Sequence, residues 1–333
     1  MLSRHLGRTG PAVSAIGLGA MGMSDFYGPA DETESRATID AALEAGVTLI
    51  DTGDFYGMGH NEMLIGDVLK QGSKRDKAIL SVKYGAQRGP DMQWIGYATN
   101  PAQTRTALAY TLKRLRVDYI DIYRPARVSP LVPIEETIGA IADLVKEGYV
   151  RHIGLSEAGA DSIRRAHAVH PIVDLQIEYA ILTRGVEDKI LPVLRELGIG
   201  MTAYGVLSRG LISESALGGG SMGGFRSHSP RFQGENLNHN LKLVEALKAI
   251  ADEKGCTVAQ LAIAWVYSRG EDIIPLIGAR KRERLAEALG ALGALDVTLS
   301  PADLARIEAA APAGSVAGER YPAAQVAMLD SER

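Results

Sequence analysis

Three side chains stand out by type and spacing. The run 47-VTLIDTGDFYGMGHNE-62 puts Asp51 at the end of an apolar stretch with Tyr56 just beyond it, and 78-AILSVKYG-85 puts Lys83 at the end of another. Brought within side-chain reach, an aspartate, a lysine and a tyrosine form a proton-transfer set. A lysine ammonium beside a phenol favours the phenolate and draws its pKa down toward working pH, while the carboxylate orients and compensates the lysine. Such a tyrosine could give or take a proton. On spacing alone, a structural Asp51–Lys83 ion pair with Tyr56 merely packing is an equal alternative, because buried pairs exist without catalysis.

Positioning these groups requires a particular set of elements. Short apolar runs recur at 15–21, 47–51, 78–83, 119–123, 152–156, 174–179, 199–204 and 272–278. Continuous rather than alternating apolar runs are the pattern of parallel strands covered by helices. The segments between them carry helix signals. DETESRATIDAALEAG has Asp31 as N-cap with Glu34 three residues on and Gly46 as the stop. PIEETIGAIADLVKEG starts on Pro133 and closes with Lys146 and Gly148, and NPAQTRTALAYTLKRLR and KLVEALKAIADEKG follow the same grammar. Eight strands alternating with helices and no linker between halves predict an α/β fold, a single-domain (β/α)8 TIM barrel over residues 1–333. A doubly wound sheet is the second choice. In a barrel, polar residues at the C-terminal ends of strands face the site. The long irregular segment at about 213–240 falls on that same face and reads as a candidate lid.

Composition limits the partner. With 46% apolar and 23% charged residues and no run of the length needed to cross a bilayer, the chain reads as soluble and globular. A net charge of -4 with interspersed signs gives no basic field for nucleic acid and no polybasic membrane patch. One cysteine, Cys256, and no signal-like N-terminus point to the cytoplasm. The expected partner is a small molecule; no metal ligand set is assigned, and the oligomeric state is not readable.

DTGDFYGMGHNE resembles the DTAxxYGxGxNE signature of the aldo-keto reductases, nicotinamide-dependent (β/α)8 enzymes. LGRTGPAVSAIGLGAMGM resembles their N-terminal segment, VDYIDIY with PIEETIGAIADLVKEGYVRHIGLSE their central motif, TAYGVLSRGLI their cofactor loop, and IPLIGARKRERLAEAL their adenosine-end segment. The resemblance implies Asp51, Tyr56 and Lys83 as catalytic residues, with Tyr56 as proton donor. It implies that Ser156 and Gln176 hold the nicotinamide carboxamide and that Tyr204 stacks on the ring. Leu207, Ser208, Arg209 and Gly210 fall where the pyrophosphate is wrapped, and Gly278, Ala279, Arg280, Lys281, Arg284 and Glu287 on the adenosine segment. The crowding of Arg280, Lys281, Arg282 and Arg284 at a helix start favours an anion, and guanidinium forks suit a 2′-phosphate, so NADP(H) is expected over NAD. The glycines of GLGAMG at 17–22 have the wrong offsets for a Rossmann fingerprint.

The sequence also departs from the family pattern. The fourth catalytic residue of the family is a histidine in Y-x-x-H, and counting from Tyr123 that place holds Ala126, flanked by Arg124 and Arg127. Either arginine could reach inward, and both are candidate substrate-pocket residues with Trp94; pairing with an acid is the competing role. His60 is the one histidine placed near the mouth. Glu157 stands where asparagine is common, and Ala288 where asparagine would meet adenine. Arginines at 88, 124, 127, 226 and 231 hint at an anionic substrate. The expected function is NADPH-dependent reduction of an aldehyde or ketone. A slow nicotinamide-binding redox sensor is the alternative, and a barrel lyase using Lys83 as a Schiff base the third.

Overall fold

Each apolar run forms one strand of a closed parallel barrel: β1 Gly17–Gly19, β2 Leu49–Gly53, β3 Ile79–Tyr84, β4 Ile120–Pro125, β5 Val150–Ser156, β6 Ile172–Glu178, β7 Gly200–Tyr204 and β8 Ile273–Gly278. Neighbours in sequence are neighbours in space, and β8 pairs with β1 to close the ring. The computed structural model describes residues 2–24, 26–220, 224–292 and 297–333.

Among the described residues, ten helices of eight residues or more accompany the strands: α1 Glu32–Glu44, α2 His60–Leu69, α3 Pro101–Leu115, α4 Ile134–Lys146, α5 Ala160–Val169, α6 Ile190–Leu197, α7 Gly234–Glu253, α8 Val258–Ser268, α9 Arg282–Gly290 and α10 Pro301–Ala310. Their ends follow the capping residues. Asp31 accepts from the Glu34 amide at 2.9 Å and Asn100 from the Gln103 amide at 2.9 Å, each satisfying an amide that has no partner within the helix. Gly46 and Gly148, at φ 85° and 86°, take the left-handed turns that follow α1 and α4.

Two features differ from the sequence expectation. An antiparallel hairpin, Ser3–His5 with Ala12–Ser14, precedes the barrel, and its strands are too short to announce themselves. With it, Leu6 and Val13 join Leu49, Ile122, Val173 and Ile274 in a buried cluster that fills the barrel floor. Helix α7 begins at Gly234, not at KLVEALK, because two asparagines that read as loop residues find backbone partners. Asn236 donates to Pro230 O at 3.1 Å, and the fully buried Asn240 donates to Arg231 O at 3.0 Å and Ala317 O at 2.9 Å. The helix therefore takes in the last part of the irregular 213–240 segment, of which Ser221, Met222 and Gly223 lie outside the described residues.

Alternation along the strands determines what lies above the floor. Leu49 and Ile122 sit in the floor cluster, so the side chains two residues on, Asp51 and Arg124, face the barrel interior as well. After α10 the chain returns over the ends of β5 and β6. It is fastened there by Asp330, which accepts from the Gly159 amide at 2.7 Å, and to α7 by Ala317, which donates to Asn240 Oδ1 at 2.8 Å.

Candidate active site

Asp51, Lys83 and Tyr56 converge at the C-terminal end of the barrel. β2 pairs in register with β3, Asp51 opposite Ser81 and Gly53 opposite Lys83, so the acid and the lysine rise from adjacent strands. Lys83 Nζ donates to Asp51 Oδ1 at 2.5 Å and stands 5.0 Å from the centre of the Tyr56 ring. The other carboxylate oxygen, Oδ2, accepts from Ser81 Oγ at 2.8 Å and Gln176 Nε2 at 2.7 Å. Asp51, Lys83 and Tyr56 are all buried.

The electrostatics reverse one expectation. Burial, reinforced by the nearby Asp51 charge, holds the Tyr56 phenol well above its usual range, and the opposing pull of Arg127 does not overcome it. Tyr56 is therefore a protonated phenol at neutral pH rather than a group poised near its phenolate. Burial also lowers Lys83, to about 8, against the upward pull of Asp51. The lysine is thus still charged at neutral pH.

The rest of the Tyr56 signature is structural. Asn61 is fully buried, accepts from Thr52 Oγ1 at 2.7 Å and donates to Ala20 O at 2.9 Å, tying β2 to the end of β1. Glu62 pairs with Arg114 of α3. His60 contacts Ser24 Oγ at 2.8 Å and Glu32 Oε1 at 3.0 Å, which spends one ring nitrogen on the turn after β1 and the other on α1.

An aromatic wall flanks the phenol. Phe55 meets Tyr56 edge-on at 4.7 Å between centroids, and Trp94 stacks on Phe26 at 6.1 Å and lies edge-on to Phe55 at 5.8 Å. Trp94 is delivered by a small hairpin, Ala86–Arg88 with Trp94–Tyr97, and is 44% exposed. Arg88 lies over the Trp94 and Phe26 rings at 5.1 and 5.4 Å.

The two arginines beside Ala126 part company. Arg124 is wholly buried and pairs with Asp174, Nη2 to Oδ1 at 3.0 Å, while the same nitrogen donates to Ser81 Oγ at 2.9 Å. It therefore does not line a substrate pocket: the strand's alternation turns it into the barrel interior, where it supports Asp51 through Ser81. Arg127, two residues past the end of β4, is only partly buried; its Nη1 donates to Ala126 O at 2.6 Å and its Nη2 to Tyr321 Oη at 3.5 Å. Arg231 likewise turns inward, donating to Thr183 Oγ1 at 2.7 Å and pairing with Glu178 at 3.5 Å.

The residues expected to hold a cofactor line the same mouth. Ser156 and Gln176 are buried neighbours in register on β5 and β6, and Tyr204 ends β7. Ser208, Arg209 and Gly210 carry consecutive positive φ angles of 46°, 60° and 89°, a tight turn close behind Leu207. Ser208 Oγ is buried with no hydrogen-bond partner among the described residues. A buried hydroxyl left unpaired in such a turn suits an incoming oxyanion, so the residues present fit a phosphate-bearing coenzyme. Arg209, in contrast, donates to Glu178 Oε2 at 2.9 Å.

At the end of β8, Gly278 and Ala279 lead into α9, where Lys281 is the N-cap. The cation cluster there is partly engaged: Arg280 donates to Tyr27 O at 2.9 Å, Arg284 pairs with Glu287 at 2.8 Å, and Arg282 holds Glu34.

Sequence reasoning missed Glu178, Arg320 and Tyr321. Tyr204 Oη donates to Glu157 Oε1 at 2.7 Å and lies 3.0 Å from Tyr321 Oη, and Arg320 is paired to Glu157. The signal available was Glu157 itself, a carboxylate at a strand end that needs a cation, although nothing local says which one.

The comparisons with known proteins agree with this arrangement. Residues 15–312 match the Aldo/keto reductase family. The chain is 44% identical over 324 residues to a probable aldo-keto reductase 1 of Glycine max, covering 95% of this chain and 90% of that one. Among solved structures it superposes on a glycerol dehydrogenase from Gluconobacter oxydans with a TM-score of 0.83, at 27% identity over 92% of this chain and 94% of that one. A thermostable aldo-keto reductase solved with the inhibitor epalrestat gives a TM-score of 0.75 at 29% identity, covering 93% of this chain and 100% of that one. With its closed parallel barrel and the match spanning nearly its whole length, the chain belongs to the aldo/keto reductase family.

Proposed function

We propose that the protein reduces an aldehyde or ketone to the alcohol with NADPH, Tyr56 giving the proton, a finer reading than the carbonyl oxidoreduction that family membership carries in general. The observation that supports it best is the buried Asp51–Lys83 pair, 2.5 Å long, with the ammonium 5.0 Å from the Tyr56 ring. A dihydronicotinamide bound at this mouth would supply hydride. Ser156, Gln176 and Tyr204 would hold its nicotinamide end, Leu207, Ser208, Arg209 and Gly210 its pyrophosphate, and Gly278, Ala279, Arg280, Lys281, Arg284 and Glu287 its adenosine end.

The chain's own groups then divide the work. Tyr56, kept protonated by burial, releases its proton only when an alkoxide forms beside it. Lys83 steadies the phenolate left behind, and Asp51, held by Ser81 and Gln176, keeps Lys83 in place. The aromatic wall of Phe26, Phe55 and Trp94 suits a substrate with an apolar body. The working compartment that goes with this reading is the cytoplasm; no described helix is long and apolar enough to cross a membrane.

Tyr56→Phe should lower turnover of a proven carbonyl substrate by roughly 10²–10⁴ and leave NADPH affinity nearly unchanged. Reduction by that variant at the parent rate would end the assignment. Ala126, at the place of the family's histidine, favours a second reading, a slow nicotinamide-binding redox sensor. Single-turnover mixing of NADPH-loaded protein with an aldehyde panel separates the two, since a sensor would oxidise its cofactor slowly with every member.

A further inference from the structure

We infer that Arg127 hydrogen-bonds the carbonyl oxygen of the substrate beside Tyr56 and so does the work that residue 126, as alanine, cannot do. The inference rests on the carbonyl-reductase reading above.

The first support is position. Ala126 is 1% exposed, and its amide donates to Tyr84 O at 2.8 Å, which pins the chain where β4 ends. The Arg127 side chain folds back from the next position, and its Nη1 donates to Ala126 O at 2.6 Å. The guanidinium therefore lies against the backbone of residue 126 itself.

The second is that no carboxylate pairs with it directly, although Glu157 lies within reach of its charge. Three neighbouring arginines are neutralised: Arg124 by Asp174, Arg209 by Glu178, and Arg320 by Glu157. Among the described residues, Arg127 has no carboxylate within 4.0 Å; its partners are one carbonyl and, at 3.5 Å, the Tyr321 hydroxyl. A guanidinium has five N–H donors, and here at most two are used. A partly buried cation with donors to spare binds an oxygen that carries negative charge.

The third is reach. The charge of Arg127 acts on Tyr56, Lys83, Tyr204 and Glu157, so the group lies within electrostatic range of all four. As hydride adds to the carbonyl carbon, the C=O electron pair moves onto oxygen. Arg127 and the Tyr56 hydroxyl both face that developing alkoxide. The Tyr56 proton then transfers to it, the alcohol forms, and the phenolate regains a proton from water. A donor aimed at charge that exists only in the transition state raises turnover more than it tightens binding.

The test is Arg127→Met and Arg127→Lys, measured with a neutral aldehyde, 4-nitrobenzaldehyde, and an anionic one, 4-carboxybenzaldehyde. NADPH binding is followed by cofactor fluorescence and folding by thermal denaturation. Arg127→Met should lower kcat on the order of 10²–10³-fold for both aldehydes alike, with NADPH binding kept. Arg127→Lys should keep part of the rate. Ala126→His should add little to the parent and restore at least tenfold to Arg127→Met, because it returns a donor to the same oxygen. A rise in KM confined to the anionic aldehyde would overturn the assignment in favour of substrate-charge recognition. An Arg127→Met variant that reduces both aldehydes at the parent rate would overturn it while leaving the carbonyl-reductase reading intact. A parent protein that binds NADPH and reduces neither aldehyde would overturn both. Should Arg127→Met fail to fold, Arg127→Lys decides: an unchanged kcat together with an Ala126→His gain in the parent would overturn the assignment.

Discussion

The Glu157 carboxylate and the Arg320 guanidinium, 163 positions apart, meet in a buried two-pronged ion pair, Nη1 to Oε1 at 2.9 Å and Nη2 to Oε2 at 2.5 Å. Tyr204 and Ser331 donate to the same carboxylate at 2.7 and 2.8 Å. Burial pushes the Glu157 carboxyl up, but Arg320, aided by Arg127 and Tyr204, outweighs it and holds the group far below the usual range. The pair fastens the C-terminal segment to the end of β5, next to the ring on which a nicotinamide would stack.

Removing one partner leaves the other charge buried alone, which typically costs about 3–5 kcal/mol. Arg320→Met should lower the unfolding free energy by about that amount and open the last segment of the chain to protease, while Glu157→Met with Arg320→Met should recover part of the loss. The pH dependence follows from the sign. A carboxyl depressed in the folded state stabilises fully above its unfolded value of about 4.3, and the contribution fades as pH falls below it. Urea midpoints between pH 7 and pH 3 for parent and double variant check this. Parallel curves would show that the pair contributes no pH-linked stability.

How far the sequence reveals this site depends on how local each feature is. The strands were legible because a strand covered on both faces is a continuous apolar run, and Asp51 and Lys83 because a polar residue ending such a run faces the mouth. Arg124 was legible in principle: Ile122 fills the floor, so the residue two places on must face inward too. The Glu157–Arg320 pair was not, since no periodicity links a strand end to a tail so far along the chain. The start of α7 was hidden for a related reason, because the partners that satisfy Asn236 and Asn240 lie outside the helix.

Lys83 makes the proton chemistry sensitive to pH. Burial lowers it to about 8, and in the proposed mechanism its charge steadies the Tyr56 phenolate. Reductive kcat should therefore be level below about pH 7 and fall as pH rises through about 8. Stability moves the other way. Above the folded value the native state has lost a proton that the unfolded chain keeps up to about 10.4, so unfolding free energy rises between the two. Lys83→Met should remove both slopes and lower turnover across the range. A kcat profile that stays flat to pH 9.5 in the parent would separate the lysine's charge from catalysis.

Glu34 offers a handle on cofactor choice. Its carboxylate accepts from the Arg282 amide at 2.9 Å, from Nε at 3.2 Å and from Nη2 at 2.9 Å, and so sits on the first turn of α9. On the proposed NADPH reading, that is the place where amides and cations would otherwise receive a 2′-phosphate. A phosphate must share these donors with Glu34 and be repelled by it, whereas NADH, without that phosphate, is indifferent to it. Glu34→Gln keeps the side chain's shape and removes the charge. It should tighten NADPH on the order of three- to tenfold in a fluorescence titration and leave NADH within a factor of two, and the gain should shrink with added salt. Equal tightening of both coenzymes would show that Glu34 acts through the packing of α1 on α9, and weakened NADPH binding would show that its grip on Arg282 is what orders the phosphate site.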